Sequence, residues 1–114
     1  MSVSPAPSAA TGSGAARPPG RFELAGESRA RVVGALSFGT VTALLSEGSE
    51  AVAAGRAALI DLAGVTASDS AGLALLIEWL SIAKAAGRAV RYENVPAQLL
   101  QLARLSDAEG LLTG

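Results

Sequence analysis

A small α/β domain, built on a mixed sheet that carries helices, is the fold class this sequence predicts, and three observations predict it. Strand-like and helix-like segments alternate along the chain with short connections, in the order strand, strand, helix, strand, helix, strand, helix. The run Ala57 to Val65 is nearly continuously apolar, which suits a central strand covered on both faces. The chain has 114 residues, 50% of them apolar, enough for one domain with a real core and too few for two.

Residues 1–20 are dominated by Ala, Ser, Pro and Gly, with Arg17 as the only charge, and predict a disordered extension ahead of a domain over residues 21–114. The segment lacks the basic start and continuous apolar core of a secretory signal. Arg21 to Glu27 and Arg29 to Phe38 read as two extended segments around the polar turn Gly26-Glu27-Ser28, a hairpin. Thr40 to Ala54 has helical spacing at Val41, Leu44, Leu45 and Val52, but Gly48 predicts that the helix breaks or ends early, with Gly55 closing it. A second helix runs from about Ser70 to Ala86 and stops at Gly87, a residue that tolerates the left-handed conformation past a helix end. Arg88 to Val95 is the last strand. Pro96 fits the first turn of a helix reaching Leu105, where its missing N–H does no harm. Ser106-Asp107-Ala108-Glu109 has the form of a capping box before a short final turn, weakened by Gly110.

Composition excludes several function classes. The formal net charge is −1 and the nine basic residues are scattered, so there is no electrostatic footprint for nucleic acid. With neither cysteine nor histidine, the chain has no disulfide framework, no thiolate or imidazole metal site, and no Ser-His-Asp or Cys-His nucleophile pair. No Gly-x-x-x-x-Gly-Lys-Ser/Thr loop is present to cradle a nucleotide. Ser81-Ile82-Ala83-Lys84 matches the Ser-x-x-Lys pattern of some acyl enzymes, but two fixed letters without companion motifs are a weak signal. The expectation is a protein that is not an enzyme and takes no cofactor. A membrane-spanning helix needs about 20 mostly apolar residues. Ala71 to Ala86 is shorter and carries Glu78 and Lys84, so direct membrane insertion is not expected and a cytoplasmic location is.

The most informative stretch is Asp69-Ser70-Ala71-Gly72-Leu73, where a strand-to-loop segment becomes a helix. Placed on a wheel at about 100° per residue, Leu73, Leu76, Ile77 and Leu80 form a sheet-facing arc. Leu75, Trp79, Ile82 and Ala86 form a second apolar arc beside it, leaving Ala74, Glu78, Ser81 and Ala85 as a narrow remaining strip. Either neighbouring helices bury the second arc, or it is a partner-binding patch centred on Trp79, a residue type enriched at interface hot spots. The latter is the expectation, with Asp69, Ser70, Ala71, Gly72, Leu75, Trp79 and Ile82 as the contact residues. Ser68, Asp69 or Ser70 caps the helix, and a hydroxyl at an exposed helix start is also a candidate phosphorylation site, favoured by free amides and opposed by the Asp69 charge. Gly72 either admits a second backbone closely or is merely a flexible first-turn residue.

Ile60-Asp61-Leu62 followed by Asp69-Ser70-Ala71-Gly72-Leu73 resembles the STAS domain, over roughly Phe22 to Leu112. That family includes anti-sigma factor antagonists, the cytoplasmic ends of sulfate transporters and the STAS subunit of bacterial phospholipid-transport ABC complexes. The resemblance implies a small mixed sheet of about four strands packed with α-helices. Gly72 to Leu80, Ala83-Lys84 and Leu102-Ala103-Arg104-Leu105 are most similar to the last of these, the MlaB-type subunits of the Mla system. That likeness implies a non-catalytic subunit that sits on the cytoplasmic ATPase of an ABC transporter, and through it on the permease. There it supports the ATPase of a system that maintains outer-membrane lipid asymmetry. It also implies a location peripheral to the inner membrane. The alternative is an anti-sigma factor antagonist, in which the hydroxyl matching Ser70 is phosphorylated by a partner kinase. Gly34-Ala35-Leu36-Ser37 lacks the Glu and Asp common in a Gly-Glu-Leu-Asp segment of that branch. A small-ligand or lipid-binding module is a third class.

Overall fold

The described residues begin with a hairpin whose turn is written in its backbone: Glu27 and Ser28 both take positive φ, 51° and 63°, the handedness that matches the twist of flanking strands. The computed structural model describes residues 20–113. The expected extension lies outside the described residues except for Gly20. Strands β1 (Arg21–Gly26) and β2 (Arg29–Leu36) pair antiparallel, with an irregularity between Leu24 and Gly26. Helix α1 (Val41–Ala53) leads to β3 (Leu59–Ser68), parallel to β2. Helix α2 (Ser70–Ala85) leads to β4 (Arg91–Glu93), parallel to β3. Helices α3 (Ala97–Leu105) and α4 (Glu109–Thr113) complete the chain, and the sheet order is β1-β2-β3-β4. This is the mixed four-stranded sheet with helices that the sequence predicts.

The central strands are covered on one face rather than both. Ala30, Val32, Leu36, Ile60 and Leu62 are buried in the cluster that the helices join. The opposite face carries a transverse row, Glu23 beside Arg31 beside Asp61 beside Glu93, next to a row formed by Arg29, Leu59 and Arg91. Arg31 Nε lies 2.8 Å from Glu23 Oε1, Arg21 lies 3.2 Å from the other oxygen of Glu23, and Arg29 lies 3.7 Å from Glu93. Asp61 Oδ1 accepts from Asn94 Nδ2 and from the Ala63 amide, both at 2.9 Å. These bonds hold the Asp61 carboxyl below the usual range, and the Arg31 hydrogen bond does the same for Glu23.

Gly48 does not interrupt α1. A Cβ at that position would fall within 2.7 Å of Trp79 Cε2, so the glycine is a slot for the indole, and the helix continues through it to Ala53. Trp79 is 0% exposed and meets Phe22 edge-on, with ring centroids 5.5 Å apart at 63°. Tyr92 Oη donates to the Leu76 carbonyl at 2.6 Å, joining β4 to α2, and its burial pushes the phenol above its ordinary value. Strand β4 is shorter than expected because the Arg88 amide is spent on the Ala83 carbonyl at the end of α2, at 2.8 Å, and because Asn94 turns away at φ 56°. The capping box does not form. Ser106 ends α3, Asp107 takes φ 57°, and Glu109 opens α4 with its carboxylate 2.9 Å from Arg104 Nε.

Candidate functional site

The start of α2 is organised by Asp69, which is its N-cap. Oδ1 accepts from the Ala71 amide at 2.9 Å and the Gly72 amide at 3.2 Å, two donors that a helix start otherwise leaves unpaired. Oδ2 accepts from the Phe38 amide at 3.0 Å, across to the loop between β2 and α1. One carboxylate therefore joins two loops at the C-terminal ends of the parallel strands. Thr40 completes the clasp, its Oγ1 accepting from the Ser37 amide at 3.1 Å and donating to Ala35 O at 2.8 Å. Ser68, buried beneath, lies 3.3 Å from Gln98 Oε1 and ties α3 to the same end.

Ser70 follows the cap and is exposed. Because Asp69 already occupies the Ala71 and Gly72 amides, the helix start is not a ready anion cradle, and a charge added to Ser70 would face outward beside a carboxylate. Gly72 is buried, and a Cβ there would press into the Leu36 carbonyl, with Leu36 Cγ at 2.9 Å. The backbone that Gly72 admits is thus this chain's own.

Beside Ser70 an apolar groove of about 420 Å³ runs between α1 and α2, walled by Phe38, Val41, Thr42, Leu45, Ala71, Ala74, Leu75 and Glu78. Phe38 is 82% exposed and Leu45 37%. The apolar arc expected as a contact patch is mostly interior. Trp79 is wholly buried and Leu75 is 4% exposed, because α1 crosses α2 over them at Gly48. Trp79 is therefore no surface hot spot, and Leu75 reaches the groove only with its edge. Ile82 and Asp69 are half-buried. Of the seven residues singled out in the sequence, Ala71 and Leu75 line the groove, and Ser70 is exposed next to Ala71 in the chain. Phe38, Leu45 and Glu78 were missed as site residues. The signal for Phe38 is an aromatic set between Ser37 and Gly39 in a turn, where nothing nearby can bury it.

Two further hollows are open to solvent, one of about 390 Å³ between β1 and α1 and one of about 490 Å³ along α3. Among the described residues no group of three or more His, Cys, Asp or Glu side chains could hold a metal ion, and no helix is long and apolar enough to cross a membrane.

The strand order, the helical layer on one face and the Asp-Ser-Ala-Gly-Leu helix start define a domain of the STAS class. Residues 21–113 match the family described as Mlab, STAS domain, and the chain belongs to that family. Its fold is similar to the anti-sigma factor antagonist SpoIIAA in its unphosphorylated form, with a TM-score of 0.63 at 15% identity, covering 82% of this chain and 85% of that one. It is similar also to the Bacillus cell fate determinant SpoIIAA in the phosphorylated form, with a TM-score of 0.61 at 15% identity, covering 82% and 88%. Among curated proteins none matches the chain significantly.

Proposed function

We propose that this domain is a non-catalytic subunit that docks on the cytoplasmic ATPase of a phospholipid-transport ABC complex and supports its assembly and activity, through it reaching the permease. It works in the cytoplasm, peripheral to the inner membrane, in a system that maintains outer-membrane lipid asymmetry. The observation that carries the choice of partner is the MlaB-type family match over residues 21–113. The groove beside Ser70 supports a docking role, since soluble domains rarely leave an aromatic as exposed as Phe38 beside other apolar groups without use. Ser70 and Ala71 make the close contact, with the groove supplying apolar area.

The test is affinity purification of the full chain from its native host, wild type against Ser70→Glu. Recovery of an ABC ATPase with its permease, lost with the added charge, supports the proposal. Recovery of neither ATPase nor permease from detergent extracts sinks it. The likeness to SpoIIAA and the exposed hydroxyl at the α2 start favour a second reading, an anti-sigma factor antagonist. That reading requires a kinase-like partner that phosphorylates Ser70 stoichiometrically, which intact-mass measurement detects.

A further inference from the structure

We infer that the groove between α1 and α2 receives an amphipathic helix of the partner carrying a basic residue among apolar ones, with Phe38 as the anchor and Glu78 as the charge that selects it. This rests on the ATPase reading above and adds the chemistry of what the ATPase presents.

Four observations lead there. The walls of the groove are helices, whose backbone groups are already paired internally, so an occupant is recognised by side chains alone and gains nothing from being a strand. The α2 wall is a stripe at helical spacing, Ala71, Ala74, Leu75 and Glu78, small near Ser70 and acidic at the far end. A facing helix can therefore lie close along the alanines. Glu78 is the one charged residue in the lining, and it makes no ion pair among the described residues. An unpaired carboxylate set in an apolar lining is satisfied by a cation brought by the occupant. Finally, the Phe38 side chain is 82% exposed while its backbone is fixed by Asp69 and its loop by Thr40, so the ring is presented with no backbone ordering cost at the moment of binding.

A second copy of this chain is a poor occupant. Two grooves meeting about a twofold axis would bring two Glu78 carboxylates into an apolar contact with no cation in either lining.

The experiment titrates the full chain with the purified ATPase subunit from the same host at 50 and 300 mM NaCl, where the Debye length is about 14 Å and 6 Å respectively. The expected result is that Phe38→Ala weakens binding by about 30-fold or more at both salts. Glu78→Gln should weaken it by about 5-fold at low salt and less at high salt, and Glu78→Lys by more than Glu78→Gln. The control Glu27→Gln, in the hairpin turn at the other end of β1, removes the same charge and should stay within about 2-fold of wild type. Circular dichroism melts of the variants should overlay the wild type, since these side chains are exposed. In parallel, Ala74→Cys bearing a photoreactive group should crosslink to an ATPase peptide with Arg or Lys among apolar residues at helical spacing. If wild type binds and Ser70→Glu does not, yet Phe38→Ala is silent or Glu78→Gln matches Glu27→Gln, the inference is wrong and the ATPase reading stands. A crosslink to an acidic or extended segment, or none while binding persists, also overturns it. If wild type does not bind the ATPase at all, the ATPase reading fails and takes the inference with it.

Discussion

Asp69 does two jobs with one carboxylate, and the size of each can be separated. As an N-cap it answers the Ala71 and Gly72 amides, and as a clasp it answers the Phe38 amide from the neighbouring loop. Asp69→Ala should cost about 2 kcal/mol, the upper end for cap removal, because three donors lose their acceptor. Asp69→Asn keeps an acceptor oxygen and should cost less. Urea unfolding followed by the fluorescence of the single tryptophan, Trp79, measures both. Gly48 gives a prediction whose sign decides the matter. Helix propensity alone says that Gly48→Ala stabilises by about 1 kcal/mol. The indole lies where the new methyl would go, so the expected outcome is a loss of about 1–3 kcal/mol. In a Trp79→Leu background, where the slot is no longer filled, the same change should turn neutral or stabilising, read by circular dichroism. Trp79→Ala should cost about 3–5 kcal/mol of stability. Any accompanying loss of partner binding should track the unfolded fraction rather than the affinity of folded protein.

At the scale of elements, α2 shows what the sequence can and cannot carry. Its bounds were legible from Asp69-Ser70 at one end and Gly87 at the other, and the expected span of about Ser70 to Ala86 matches α2 to within a residue. Its exposed face was not, because a wheel gives the width of an apolar arc but not how many neighbours share it. Leu73, Leu75, Leu76 and Trp79 are all buried, the indole between Gly48 of α1 and Phe22 of β1, and that packing depends on Gly48, which read as a helix breaker. Strand β3 was legible as central but runs on to Ser68, since its pairing with β2 absorbs irregularities near Val33 and Ala35 that no local pattern announces. Of the candidate groove, Ala71 and Leu75 were named from the sequence, through the resemblance and the helical wheel. Phe38 and Leu45 come from α1 and the loop before it, more than 20 residues away in sequence, and only the fold brings them alongside. Strand β4 has three residues and is held to α2 by the Tyr92 hydroxyl on the Leu76 carbonyl. Tyr92→Phe should therefore cost about 1 kcal/mol, with faster hydrogen exchange concentrated in β4, measurable by mass spectrometry.

For the molecule as a whole, the uncovered sheet face ties stability to pH. Asp61 and Glu23 are held below the usual carboxylate range by Asn94, Ala63 and Arg31. A depressed carboxylate contributes stability that is fully present above its unfolded value and is lost as pH falls through its folded value. Resistance to urea should thus be flat near neutrality and fall as pH drops from about 5 towards 3. Asp61→Ala should be less stable than wild type at pH 6, with the gap closing by pH 3. Both groups are partly open to solvent, so added salt should shrink the effect.

The same face bears on how the domain would behave beside a lipid bilayer. Arginines at 21, 29, 31 and 91 would, standing alone, attract it to anionic headgroups at about 1 kcal/mol each. They are interleaved with Glu23, Asp61 and Glu93, so the face is close to self-neutral and offers a membrane little to hold. The domain should stay in the supernatant when spun with phosphatidylglycerol vesicles at physiological salt, whereas Glu23→Gln with Glu93→Gln should begin to sediment with them. On the reading proposed above, a domain whose sheet face gives a membrane so little to hold would take its orientation wholly from the protein it docks on, and would be free to leave when that contact is released.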